Sequence, residues 1–136
     1  MRYMLDTNIL VYVLNAREHH QAVLERFDAE DPRDLVVSSI TFAELRFGVE
    51  KSRRREASRK ALHEALDAIN VVPFDADAAE TYGAVRAGLE TSGRPIGPLD
   101  TLIAAHALSL DLTLVTGNVR EFSRVRRLRV ENWAAG

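Results

Sequence analysis

With 136 residues, 46% of them hydrophobic and 28% charged, the chain has the make-up of one globular domain, residues 1–136, able to bury a core without a covalent staple. The absence of cysteine excludes a disulfide framework, a thiolate metal site and a cysteine nucleophile. A formal net charge of −2 excludes a uniformly basic nucleic-acid binder. No stretch has the character of a membrane span or a secretory leader, so a cytoplasmic protein with no membrane partner is expected.

In chain order, Tyr3 to Leu5 predicts a short buried strand, and Ile9, Leu10, Val13 and Leu14 then recur at helical spacing. Asp6 falls where the strand ends, with Thr7 or Asn8 placed to cap the helix. His19 to Glu30 predicts a second helix with Ala22, Val23 and Phe27 on one face, broken by Asp31-Pro32-Arg33-Asp34. Leu35 to Val37 is a second strand, Thr41 to Glu50 a third helix, and Arg54 to Ile69 a fourth with Ala57, Ala61, Leu62, Ala65 and Ile69 inward. Val71-Val72 makes a third strand, Ala76 to Glu90 a fifth helix and Thr91 to Gly97 a loop. Leu99 to Leu110 is a sixth helix, Thr113 to Val115 a strand closing on Thr116-Gly117-Asn118, and Leu128 to Val130 a last strand. Such alternation predicts an α/β fold, a three-layer α/β/α sandwich around a parallel sheet of four to five short strands.

In such folds ligands bind beyond the strand ends, where Asp6 stands. Glu44, Asp100, Asn118 and Glu121 are the other acidic or amide candidates. Two of them have an ordinary explanation. Thr41-x-x-Glu44 fits a capping box, and Asp100 in a first helical turn is favoured by the macrodipole. Taken singly, the capping explanation holds. Taken together, carboxylates converging in one crevice repel each other unless protons or cations intervene. With oxygen donors and no thiol, the cation is a hard one, Mg²⁺ or Mn²⁺, and such sites handle phosphate esters.

Four segments in order carry a resemblance: Met4-Leu5-Asp6-Thr7-Asn8, Ala43-Glu44-Leu45, Pro98-Leu99-Asp100-Thr101-Leu102-Ile103-Ala104-Ala105-His106-Ala107, and Leu114-Val115-Thr116-Gly117-Asn118-Val119-Arg120-Glu121-Phe122. They resemble the PIN-domain ribonucleases and, more narrowly, the VapC toxins of VapBC toxin–antitoxin pairs. Gly48-Val49-Glu50-Lys51-Ser52 and Gly93-Arg94-Pro95-Ile96-Gly97-Pro98 resemble the subgroup that cuts initiator tRNA in its anticodon loop. The resemblance implies a Mg²⁺-dependent endoribonuclease, usually a homodimer, held inactive by a VapB-type antitoxin. It makes Asp6 and Asp100 the principal metal ligands and Glu44 the third acid. The family's fourth acid falls at Asn118, here an amide, with Glu121 three residues on as its partial replacement. Thr7, Asn8 and Thr116 match polar positions lining the same site.

Two clusters, Arg46 to Lys60 and Arg120 to Arg129, carry 12 of the 18 basic residues. A solvated helix face is their ordinary explanation, whereas a nuclease with an acidic centre would use them as phosphate contacts. Arg94, in the loop before Asp100, is a further substrate-contact candidate or an exposed loop residue. His106, six residues after Asp100, lies off that acid's helical face and reads as packed or surface rather than catalytic. Two rivals are a catalytically weak PIN-like binding module and another phosphoryl-transfer fold. The latter calls for a lysine near a late strand, and this chain has lysine only at 51 and 60.

Overall fold

The structure is a computed structural model and describes residues 1–15 and 21–134. Five parallel strands form its sheet: β1 (Tyr3–Leu5), β2 (Leu35–Ser38), β3 (Asn70–Val72), β4 (Thr113–Val115) and β5 (Val130–Glu131). Among the described residues seven helices accompany them: α1 (Thr7–Asn15), α2 (Gln21–Ala29), α3 (Ser39–Lys51), α4 (Arg55–Leu66), α5 (Ala76–Thr91), α6 (Pro98–Ser109) and α7 (Val119–Phe122). A short 3₁₀ turn, Pro32–Asp34, leads into β2.

The strand order is β3-β2-β1-β4-β5. The chain builds outward from β1 to β3 on one side, then crosses to place β4 and β5 on the other. The order therefore reverses between β1 and β4, the position at which open parallel sheets leave a crevice for ligands. Tyr3 pairs with Thr113, Met4 with Leu114 and Leu5 with Val115. That register brings Asp6 and Thr116, the residues immediately after each strand, to the same edge.

Alternation along the strands divides the core in two. Tyr3, Leu5, Leu35, Val37 and Val115 point into a cluster with Ile9, Leu10, Val23, Leu45 and Leu62 from the first four helices. Met4, Val36 and Leu114 point the other way, against Leu89, Ile103, Ala104, Ala107 and Phe122. Strands buried on both faces read as unbroken apolar runs, as β1 and β2 do. The expected three-layer sandwich is what forms.

Several local expectations need correction. The first helix begins at Thr7 rather than being capped by Thr7 or Asn8, and the Ile9 and Leu10 amides bond to the Asp6 carbonyl. The third helix begins at Ser39, capped by Ser38, whose hydroxyl accepts from the Ile40 amide at 3.1 Å. Thr41 is thus already inside the helix, its buried hydroxyl unpartnered, and no capping box forms with Glu44. Ala57, expected inward, is exposed. The last strand lies at Val130–Glu131 rather than Leu128–Val130. The expected start of the second helix at His19 falls outside the described residues.

Candidate active site

Asp6 leaves β1 and is 3% exposed. One carboxylate oxygen accepts the Thr7 backbone N–H at 2.8 Å, and the other accepts the Thr116 hydroxyl at 2.8 Å. Thr116, at the end of β4, is fully buried and its oxygen in turn accepts the Asn118 backbone N–H at 3.0 Å. The hydroxyl proton is therefore committed to Asp6, which fixes the orientation of the carboxylate. Burial nevertheless raises the pKa of Asp6, with the Glu44 charge adding to the rise and the Thr116 and Thr7 bonds opposing it.

Glu44, half-buried on α3, accepts the Thr7 hydroxyl at 2.8 Å. Thr7 thus serves both acids, donating its amide to Asp6 and its hydroxyl to Glu44. Glu44 is therefore not a helix cap: its carboxylate shares Thr7 with Asp6. Asp100 occupies the first turn of α6, behind Gly97, and its carboxylate leans back over the helix start: a Cβ on Gly97 would lie 3.5 Å from it. Its pKa is pushed up to about 6 by burial and by the charges of Asp6, Glu121 and Glu44. A helix N-terminus alone would lower that value, so burial, together with the neighbouring acids, outweighs the dipole.

Asn118 precedes α7 and donates its side-chain amide to Glu121 at 2.6 Å. It orients an acid instead of supplying one. The structure thus brings Asp6, Glu44 and Glu121 within electrostatic reach of Asp100, with Thr7, Thr116 and Asn118 holding the three. Asn8 and Arg94 are exposed, and neither makes a side-chain hydrogen bond to the acids among the described residues. Tyr12 carries no motif that marks it in the sequence, yet its hydroxyl would stand 3.7 Å from a Cβ on Gly117, which follows Thr116.

The donor set is all oxygen, and mutual repulsion among its carboxylates is what a divalent cation relieves. Among the described residues no three acidic or imidazole groups close into a ready cage. The residues fit a hard cation as an open set rather than a preformed one, leaving room for substrate oxygens. From Thr7 and Glu44 a groove of about 690 Å³ runs between α1, α3 and α4, lined by Val11, Leu45, Ala57 and Ala61 and edged by Arg53 and Arg54. The exposure of Ala57 is explained by its place in this groove.

Carboxylates gathered at the switch point of a five-stranded parallel sheet are the kind of site that handles phosphate esters with a divalent ion, and residues 3–128 match the PIN domain family, to which the chain belongs. Within that family it stands among the VapC ribonucleases. It is 40% identical over 134 residues, 98% of this chain and 99% of the relative, to the tRNA(fMet)-specific endonuclease VapC of Shigella flexneri. The same identity and a TM-score of 0.87 relate it to VapBC2 of Rickettsia felis, solved bound to a promoter DNA fragment, over 98% of this chain and 99% of that one. DNA-bound VapBC of Salmonella typhimurium superposes with a TM-score of 0.90 at 39% identity, over 98% of both chains. Nucleases of this family depend on a divalent metal ion. No helix among the described residues is long and apolar enough to cross a membrane.

Proposed function

We propose that the chain is the toxin of a toxin–antitoxin pair and hydrolyses a phosphodiester bond of RNA with Mg²⁺, for which Mn²⁺ substitutes. The carrying observation is the linkage of the acids at one strand edge, where Thr7 bonds both Asp6 and Glu44, Thr116 bonds Asp6, and the charges of Asp6, Glu44 and Glu121 all act on Asp100. Asp6, Asp100 and Glu44 would hold the cation, with Glu121 taking the part of the acid missing at Asn118. A bound divalent ion supplies a polarised phosphoryl group and an activated water. The protein's own groups supply orientation. Thr116 and the Thr7 amide hold Asp6, the Thr7 hydroxyl holds Glu44, and the Asn118 side chain holds Glu121. No imidazole is required as base, in keeping with the placement of His106 in the core.

The substrate we favour is initiator tRNA, cut in the anticodon loop, on the strength of the relative named for that RNA. Asn8 and Arg94 are exposed and, on this reading, would meet the RNA rather than the ion. A VapB-type antitoxin would lay an amphipathic segment into the α1–α3–α4 groove and offer a basic side chain toward Glu44. Assembly as a homodimer and a cytoplasmic setting complete the reading.

The test is cleavage of total RNA by antitoxin-free protein, with EDTA and then Mn²⁺ added, followed by mapping of the new 5′ ends. Loss with EDTA, recovery with Mn²⁺ and ends clustered in one tRNA loop are expected. Cleavage indifferent to EDTA would remove the metal site from the proposal. Ends scattered over many RNAs would remove the tRNA.

A further inference from the structure

His106, which the site does not use, is 1% exposed. Its Nδ1 lies 2.7 Å from the Ser38 hydroxyl, itself fully buried where β2 ends and α3 begins. The Ser38 oxygen already accepts the Ile40 N–H, so its proton is available for Nδ1. The Pro73 backbone, which as a proline offers only a carbonyl, acts on the ring as an acceptor and raises its pKa. With Nδ1 accepting from Ser38, a neutral ring carries its proton on Nε2. Phe74 packs edge-on against it, centroids 5.3 Å apart, and burial lowers the pKa against the opposing charge of Asp75.

The place of this bond matters more than its strength. Ser38 is six residues before Glu44, and His106 six residues after Asp100. One hydrogen bond thus ties the start of the helix carrying Glu44 to the helix carrying Asp100, beneath the site. We propose that His106 is a positioning residue: through Ser38 it sets how the Glu44 and Asp100 helices sit relative to one another, and so the affinity of the acidic set for a divalent cation. The proposal rests on the cation reading above.

The test is calorimetric titration of the whole chain with Mn²⁺, alongside its melting temperature in EDTA. His106→Phe keeps an aromatic ring without either nitrogen, Ser38→Ala removes the hydroxyl, and His106→Asn restores an acceptor near the Nδ1 position. Ile103→Val, on the same helix but away from the bond, controls for loss of stability alone. His106→Phe and Ser38→Ala are expected to weaken Mn²⁺ binding about tenfold, His106→Asn to recover most of it, and Ile103→Val to leave it unchanged. Wild-type affinity in both cut variants, with only the melting temperature lowered, overturns the positioning role and leaves the cation site standing. No Mn²⁺ binding by the unaltered chain overturns both. If His106→Phe does not fold, Ser38→Ala decides, read with His106→Asn and against Ile103→Val.

Discussion

Asp6 and Thr116 are 110 residues apart in the chain and 2.8 Å apart in the structure, hydroxyl to carboxylate. The parallel pairing of β1 with β4 makes the contact, since Leu5 and Val115 are the last partners in register and the next residue on each strand is free to turn into the crevice. Removing the hydroxyl while keeping the shape, with Thr116→Val, frees one Asp6 oxygen and leaves the Asn118 N–H without its acceptor. Divalent-ion affinity should fall roughly tenfold or more with the fold intact. Titration calorimetry with Mn²⁺ and a circular dichroism spectrum check both halves of that statement.

Asp6→Asn and Asp100→Asn keep volume and remove charge. Each should lower RNA cleavage by on the order of 10²–10³-fold, as expected when a group holding a charge-stabilising cation is lost. Glu44→Gln should cost less, because the amide oxygen can still accept from Thr7. Initial rates on one tRNA at saturating Mg²⁺ order the three variants, and a Glu44→Gln loss equal to that of Asp6→Asn would contradict the ranking.

How far the sequence carried is visible at these same residues. Asp6 was legible because a strand end followed by helical periodicity leaves little freedom. The α/β alternation and four of the five strands followed from apolar runs. Glu44 was ambiguous for a physical reason: Thr-x-x-Glu has the spacing of a capping box, and only the earlier helix start at Ser39, capped by Ser38, moves Glu44 into the second turn and toward Thr7. The α7 turn and the shift of β5 were hidden because elements of four and two residues carry no period. The apolar face of α4 was correctly seen as apolar, but periodicity cannot distinguish a core from a groove, and Ala57 proved to lie in the latter.

The metal-free protein should be less stable at pH 7.5 than its Asp100→Asn variant. In the folded chain Asp100 has a pKa of about 6, against 3.8 for the unperturbed group. The folded state therefore holds the extra proton, and the stabilisation is present below about pH 4 and lost as pH rises through 6. His106, with its lowered pKa, pulls the other way in this range, so the informative quantity is the difference between wild type and variant. Allowing for partial exposure, that difference is on the order of 1 kcal/mol at pH 7.5, about 3 °C, and it should shrink at pH 5. Melting curves in EDTA at the two pH values measure it.

Replacing Asn118 by Asp asks what an acid does at that position. The Asn118 amide donates to Glu121 at 2.6 Å, and a carboxylate there would face Glu121 with like charge. Without metal the variant should melt lower than wild type. With Mn²⁺ the added charge should tighten binding, so the melting temperature should rise by more on metal addition than it does in wild type. Equal rises in both proteins would show that position 118 lies beyond the ion's reach.

The arginines of the α3–α4 turn give the last prediction. Arg55 and Arg46 pair with Glu50, at 3.6 and 3.0 Å, whereas Arg53 and Arg54 edge the groove that ends at Glu44 with no acid bound to either among the described residues. Unpaired guanidinium groups on the approach to an acidic centre are suited to phosphates, and each phosphate contact releases counterions. RNA binding by the cleavage-deficient Asp6→Asn protein should therefore weaken steeply with salt. Arg53→Gln and Arg54→Gln should each reduce the slope of log affinity against log salt by about 1, whereas Arg33→Gln, committed to Asp31 at 2.7 Å, should not change it. Filter binding across a salt series separates the two outcomes, and identical slopes for all three variants would return these arginines to the solvated surface.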